Sequence, residues 1–331
     1  MGSGAIGEVE PATLRIVGFI GDQNEDFDRA LSRLFAPGEF ELFRRGVQDG
    51  RDPVLATELL KDANVVISAN EVWDDEMFGR APELGLVIRF GTGYDNIDVE
   101  AARRHNVIVC NAPGANANAV AELAVGLIIA ITRGIVSMHV DLLRGSWVPR
   151  SGQEIVASTV GLVGFGAVAR GVAAKLASFG GRVVATDPFA DAATASALGV
   201  ELVSLDRLLE ESDVVSLHAP ATPETTGLVN DEFLGRMKRG AYFVNTARGT
   251  LVDTAALIRA LDSGQLAGAA LDVYEVEPLP AEHPLLSRRD VITLPHAASI
   301  TPQTTEKVAA ATAGSIREFY DGATPRSAVT H

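Results

Sequence analysis

The sequence holds a single cysteine, Cys110, among 331 residues. That excludes an intrachain disulfide and points to a reducing compartment. Basic residues are also short: Lys plus Arg number 28 against 43 Asp plus Glu, a formal net charge of −15. Such a surface repels phosphate backbones and anionic lipid, so neither nucleic acid nor a membrane is expected as the main partner, although a local basic pocket stays open. Long apolar runs are missing. The most apolar stretch, residues 123–132, is bounded by Glu122 and Arg133 and falls short of the about 20 residues that span a bilayer. Met1–Glu8 carry no basic segment followed by an apolar core, so no secretory signal is expected and a cytoplasmic protein is the default. His105, His139 and His283 lack metal-ligand spacing, and no metal site is expected. No fixed-period repeat or low-complexity segment occurs.

What is there is globular. Apolar residues make up 47% and charged residues 21%, which excludes wholesale disorder. The length suggests two domains at roughly 150 residues each. Short β-rich runs alternate with helical patterns. Strands are predicted at 14–20, 64–68, 84–90 and 107–111, with helices at 25–35 and 98–105. A long apolar helix is predicted over 117–144, stopped by Gly145 and buried on most faces. A second block follows, with strands at 159–163, 182–186, 214–218, 242–245, 268–271 and 291–294. Helices fall between the first four. Another runs over 253–262, with Asp253 as N-cap and Gly264 near its end, and a last one over 302–320. This alternation predicts an α/β protein with parallel sheets.

The strongest local signal is Gly164-Phe165-Gly166-Ala167-Val168-Ala169, between the strand at 159–163 and a helix. Gly164 permits a tight turn, Gly166 lets the backbone approach a pyrophosphate, and the small Ala169 lets helix and strand pack closely. The helix N-terminus, with Ala167 and Val168, offers free N–H groups and a positive dipole end. The next strand ends in Asp187, 23 positions past Gly164, close to the spacing of about 20 at which an acid receives an adenosine ribose. Its charge would repel a 2′-phosphate, so the expected cofactor is NAD rather than NADP.

Three ionisable residues follow predicted strands. They are Arg248 in Asn245-Thr246-Ala247-Arg248-Gly249, Glu277 before Pro278, and His296 in Pro295-His296-Ala297-Ala298. In open α/β sheets ligands bind at that edge. A guanidinium grips a carboxylate and polarises an adjacent carbonyl. A histidine exchanges a hydroxyl proton near neutral pH, and a carboxylate beside it orients it. Singly, each is as readily a surface ion pair, a turn or an acidic loop. Together with NAD they describe hydride transfer between a 2-hydroxy acid and a 2-keto acid.

Those motifs, with His218-Ala219-Pro220-Ala221-Thr222-Pro223-Glu224-Thr225, Ala270-Leu271-Asp272-Val273, Gly91-Thr92-Gly93-Tyr94-Asp95-Asn96 and Ala119-Val120-Ala121-Glu122, make the chain resemble the D-isomer-specific 2-hydroxyacid dehydrogenase family over about residues 14–325. The resemblance implies two doubly wound parallel-sheet domains with the active site in the cleft between them. Residues 1–116 plus 303–331 would form a flavodoxin-like substrate domain, and 117–302 a Rossmann NAD-binding domain. It implies that Arg248 binds the substrate, His296 is the acid/base and Glu277 its partner. Asp272 would hold the nicotinamide carboxamide. Ala219, Pro220, Thr225, Thr246 and Ala247 would line the cofactor cleft. Asn70 and the backbone around Thr92 and Gly93 would serve the substrate. It further implies a homodimer through the region of the 117–144 helix.

One departure bears on substrate. Ser68-Ala69-Asn70-Glu71 stands where many members carry a basic residue, and Glu71 would repel a phosphorylated substrate. The expected function is therefore NAD-dependent reduction of a small keto acid such as glyoxylate or hydroxypyruvate. An NADH-sensing corepressor-like protein, or an enzyme acting on a non-carboxylate anion such as phosphite, are the alternatives. Cys110 is expected to be an inert buried thiol, His218 to lie near the cofactor without titrating, and Trp73 to be core or pocket wall.

Overall fold

A computed structural model describes residues 13–20, 25–45 and 52–329. The reading of Met1–Glu8 lies outside the described residues. The chain divides into two compact units, Met1–Asn116 with Thr301–His331, and Ala117–Ile300.

The first unit begins with β1 (Leu14–Gly18), α1 (Glu25–Leu34), β2 (Phe40–Arg44), α2 (Pro53–Leu60) and β3 (Val65–Ser68). It continues through α3 (Asp75–Gly79), β4 (Leu86–Arg89), α4 (Val99–Arg104) and β5 (Ile108–Cys110). Here β2, α2 and α3 go beyond the sequence expectations. The strands form a parallel sheet in the order β2-β1-β3-β4-β5. All of β3 is buried, as befits a strand covered on both faces. Alternation divides its neighbours: Val17, Val66 and Val87 join the core that holds Trp73 and Phe78, while Ile16, Ile67 and Ile88 join Phe27 and Leu31 on the opposite face. Asp52, Asp74 and Asp98 each accept first-turn N–H groups of the helices they precede.

The second unit opens with α5 (Ala117–Thr132) and α6 (Ile135–Leu143). The single helix expected over 117–144 is thus two helices, bent by 62°. Gly134 sits at the break with φ +60° and caps α6, a left-handed conformation that ends one helix and starts the next. Burial is divided too. α5 buries Val120, Ala124, Leu127 and Ile128, whereas α6 buries only Asp141. Among the described residues no single helix is long and apolar enough to cross a membrane.

From there run β6 (Thr159–Val163), α7 (Ala167–Leu176), β7 (Arg182–Thr186), α8 (Ala192–Ala197), β8 (Glu201–Leu202) and α9 (Leu205–Glu211). Next come β9 (Val214–Leu217), α10 (Asp231–Arg236), β10 (Ala241–Asn245), α11 (Thr254–Asp262), β11 (Leu266–Leu271) and β12 (Val291–Thr293). The seven strands are parallel, in the order β12-β11-β10-β9-β6-β7-β8. The order reverses beside β6, and such a switch point is where doubly wound sheets open a ligand crevice. The last helix, α12 (Pro302–Tyr320), belongs to the first unit. Its Ala309, Ala313 and Ile316 join the core of Phe27 and Leu31.

Candidate active site

The C-terminal ends of β10, β11 and β12 carry three consecutive loops, and buried polar side chains fix them. Asn245, fully buried at the end of β10, donates from Nδ2 to the Arg248 carbonyl at 2.9 Å and accepts the Ala247 N–H at 2.9 Å. This folds the 246–248 loop back on the strand. The Arg248 guanidinium donates to the Ala247 carbonyl at 2.8 Å. Gly249 follows because a Cβ there would lie 1.9 Å from the Tyr274 carbonyl oxygen.

His296 and Glu277 meet: Nδ1 lies 2.7 Å from Oε2. The other carboxylate oxygen accepts the Tyr274 N–H at 2.9 Å. Burial opposes ionisation of Glu277, but the hydrogen bonds from His296 and Tyr274 and the nearby Arg248 charge prevail and hold its carboxyl below the usual range. An ionised carboxylate can only accept, so Nδ1 carries the hydrogen and Nε2 is left as the exchangeable site. The imidazole is 42% exposed, so it is accessible. Arg248, Glu277 and His296 are therefore gathered at one sheet edge.

Asp272, just past β11, lies beside the loop that carries His296. It has no exposed surface. Its two oxygens accept the Ala297 and Ala298 N–H groups at 2.8 and 2.9 Å. The carboxylate faces the histidine loop, and burial raises its pKa against those bonds.

The nucleotide end has its parts in order. Gly164 has φ +92°, and a Cβ there would come within 2.7 Å of the His218 carbonyl. A Cβ on Gly166 would meet nothing within 4 Å. Phe165 helps to hold the turn. Its ring is buried in the core, and its N–H donates to Asp187 Oδ2 at 2.8 Å. Asp187 Oδ1 accepts the Phe189 N–H at 2.8 Å. Ala167 and Val168 open α7, whose cap residue supplies no side-chain bond, so first-turn N–H groups remain to be satisfied. Ala219 and Pro220 follow β9, and Thr225 closes their loop by donating to the Pro220 carbonyl at 2.7 Å. The Thr246 hydroxyl is buried without a partner. His218 lies 2.9 Å from Ser216 Oγ through Nε2, and burial pushes its pKa down to about 4. It stays neutral, as expected.

In the first unit, Asn70 follows β3, and Thr92 and Gly93 follow β4. Thr92 donates to the Ala112 carbonyl at 3.0 Å and also contacts Asn116 Oδ1 at 2.9 Å, so its side chain is tied back. Two findings overturn the argument from Glu71. Its side chain is 1% exposed, and Oε2 accepts Ser68 Oγ at 2.9 Å and the Ala69 N–H at 2.7 Å. The sequence reading also missed Arg89, whose Nη2 lies 3.4 Å from Asn70 Oδ1 and whose Nη1 would lie 2.9 Å from a Cβ on Gly91. The Arg89 cation thus stands beside Asn70, with the buried Glu71 close enough to feel its charge. The signal was Arg89 at the end of a predicted strand. Trp73 is core, packed on Phe78 and donating to Ser68 Oγ at 3.0 Å. Cys110 is buried, with its thiol pushed up to about 11 by that burial.

Comparison with known proteins agrees with this geometry. A family model described as D-isomer specific 2-hydroxyacid dehydrogenase, NAD binding domain, matches residues 125–298. The chain belongs to the D-isomer specific 2-hydroxyacid dehydrogenase family. It is 37% identical over 309 residues to a glyoxylate reductase of Korarchaeum cryptofilum, covering 91% of this chain and 92% of that one. It is 42% identical over 269 residues to a D-3-phosphoglycerate dehydrogenase of Mycobacterium bovis, covering 81% of this chain but 51% of the relative, so it spans about half that relative's length. A solved D-lactate dehydrogenase of Aquifex aeolicus, complexed with NAD and lactic acid, has a TM-score of 0.84 at 26% identity, covering 96% of this chain and 99% of that one.

The protein is thus an NAD-dependent oxidoreductase of 2-hydroxy acids. The residues fit the cofactor. The open space at Gly166 is the kind of cradle a Cβ would fill, and the orphaned Thr246 hydroxyl awaits a partner.

Proposed function

We propose that the protein reduces a small 2-keto acid, either glyoxylate to glycolate or hydroxypyruvate to (R)-glycerate. The observation that carries this reading is the 2.7 Å His296–Glu277 pair on the same strand-end edge as Arg248. Arg248 holds the substrate carboxylate and polarises the neighbouring carbonyl. Bound NADH supplies the hydride. His296 gives its Nε2 proton to the oxygen that becomes the hydroxyl. Glu277 keeps Nδ1 protonated and stabilises the imidazolium in the charged half of the cycle. Gly164, Gly166, Ala167, Val168 and Asp187 hold the dinucleotide by the turn, the helix N-terminus and the ribose contact. Asn70 and the backbone of Thr92 and Gly93 are assigned to the substrate.

A second reading, a phosphorylated keto acid, draws support from the Arg89 guanidinium beside Asn70 and from the phosphoglycerate dehydrogenase relative. We also propose that α6 and the residues after it form the contact of a homodimer. That face exposes Leu142, Leu143, Trp147 and Val148, with Trp147 84% exposed.

The test is the initial rate of NADH oxidation with glyoxylate, hydroxypyruvate, phosphohydroxypyruvate, pyruvate, phenylpyruvate and 2-oxoglutarate. The highest kcat/KM is expected with glyoxylate or hydroxypyruvate. A preference for phosphohydroxypyruvate would establish the second reading, and no turnover with any would sink both. Arg248→Ala and His296→Ala are each expected to lower kcat/KM by about 100-fold or more, with NADH affinity largely retained. Near-normal turnover in either would remove its assigned role.

A further inference from the structure

We propose that residues 325–329 brace the substrate loop: by pairing with the end of β5 they set Asn111 and Ala112, which hold the main chain of Gly91 and Thr92 in place for the keto acid. The inference rests on the assignment of the Thr92 and Gly93 backbone to the substrate.

That backbone is costly to order by itself. Thr92 stands between two glycines, and Gly91 takes φ +150°, a conformation glycine adopts freely and gives up at an entropic cost. Its order comes from the residues past β5. The Ala112 N–H donates to the Gly91 carbonyl at 2.8 Å. Asn111, itself buried, donates from Nδ2 to the Thr92 carbonyl at 2.7 Å. The Thr92 hydroxyl returns a bond to the Ala112 carbonyl at 3.0 Å. Three hydrogen bonds thus tie two loop residues to Asn111 and Ala112.

β5 is the last strand in the order of its sheet, and a strand in that place pairs with its sheet on one side only. The chain supplies the other side after α12. Ala328 bridges Cys110 in antiparallel fashion, beside a sheet whose strands are all parallel. The Val329 N–H donates to the Val109 carbonyl at 2.8 Å, and the Asn111 N–H reaches the Ser327 carbonyl at 3.4 Å. Side chains alternate as in a strand: Ala328 packs on the core that holds Cys110, and Val329 on the core that holds Val107 and Val109. The segment is anchored in turn to α12. Ser327 Oγ lies 2.7 Å from Ser315 Oγ, and the Arg326 N–H donates to Glu318 Oε2 at 2.8 Å. A continuous path therefore runs from α12 through residues 325–329 and Asn111 to Thr92, all within the first unit.

The test uses Val329→Pro, which deletes the N–H bonded to Val109, and Ser327→Ala, which cuts the tie to Ser315. It measures kcat, KM for the keto acid, NADH affinity by fluorescence titration, Tm, and hydrogen exchange in peptides covering 88–96 and 107–114. Bracing predicts that Val329→Pro raises KM about tenfold, the equivalent of one lost hydrogen bond, with kcat and NADH affinity within about threefold. Exchange should quicken in both peptides. Ser327→Ala should move KM and exchange the same way by less. It leaves every backbone bond intact and carries the test if Val329→Pro does not fold.

A lowered Tm with unchanged KM and unchanged exchange at 88–96 marks a purely structural segment and overturns the proposal. Faster exchange at 88–96 with unchanged KM overturns it differently, by removing Thr92 and Gly93 from the substrate site. A parent inactive on every keto acid removes the function and the proposal together. Combined with Asn111→Ala, Val329→Pro should raise KM by less than it does alone, because it acts through Asn111. A full, independent rise would place its effect elsewhere and reject the brace.

Discussion

Two histidines at strand ends of the same unit show how surroundings decide chemistry. His296 is half-exposed beside a carboxylate, whereas the His218 ring is partly buried and meets the Ser216 hydroxyl, with its pKa lowered by burial to about 4. The sign of the resulting pH dependence is fixed. The folded protein keeps His218 neutral, while the unfolded chain binds a proton below about pH 6.5, so stability declines as pH falls toward 4. Between pH 7.5 and 5 the parent should lose about 2 kcal/mol more than His218→Gln. Denaturant unfolding of both proteins at the two pH values checks this, and equal losses would refute it.

Legibility at this scale follows sequence distance. Arg248, Glu277 and His296 are readable because each follows its own strand directly. Glu71 is not. Its burial depends on Ser68 and Trp73 close by, and its main-chain carbonyl is fixed by Asn96, 25 residues on. Asp272 was readable as a site residue, but its partners lie in another loop.

Among the elements, the β6–α7 turn separates two uses of glycine. Gly164 combines a left-handed φ with a close approach to the His218 carbonyl, so Gly164→Ala should destabilise the fold by about 1–3 kcal/mol. Gly166 has neither constraint. Gly166→Ala should leave Tm within a degree or two and yet weaken NADH binding at least tenfold, since the new methyl occupies the approach to the pyrophosphate. Calorimetry and a fluorescence titration on one preparation decide it, and retained affinity would move the pyrophosphate away from this turn. The strands from β6 to β12 were legible, apart from the two-residue β8 with its exposed Glu201, because buried parallel strands are continuous apolar runs. β2 was not: its Phe-Glu-Leu-Phe alternation is short and takes meaning only from pairing with β1. The α5–α6 break was hidden because the interruption is only Arg133-Gly134, and apolar residues resume at Ile135 and Val136.

For the whole molecule, the proposed homodimer contact draws on a run of exposed apolar side chains on and after α6, including Leu143 at 74% and Trp147 at 84% exposed. An apolar cluster of that kind on a chain of net charge −15 is a natural self-association surface. The double variant Leu143→Glu, Trp147→Glu should halve the mass measured by light scattering. A parent that is itself monomeric, or a variant that stays dimeric, would reject this contact. Either way NADH binding should persist, because every assigned dinucleotide contact lies elsewhere in Ala117–Ile300.

The return of α12 to the first unit has a consequence for the order of events during synthesis. Ala117–Ile300 is one unbroken stretch and can close its core while later residues are still unmade. The first unit cannot. Its sheet emerges from the ribosome first, but the face that holds Phe27, Leu31 and Ile88 is covered only when Ala309, Ala313 and Ile316 arrive. The segment made first is therefore finished last, and for nearly two hundred residues of translation the nascent chain carries an apolar face that α12 has yet to cover.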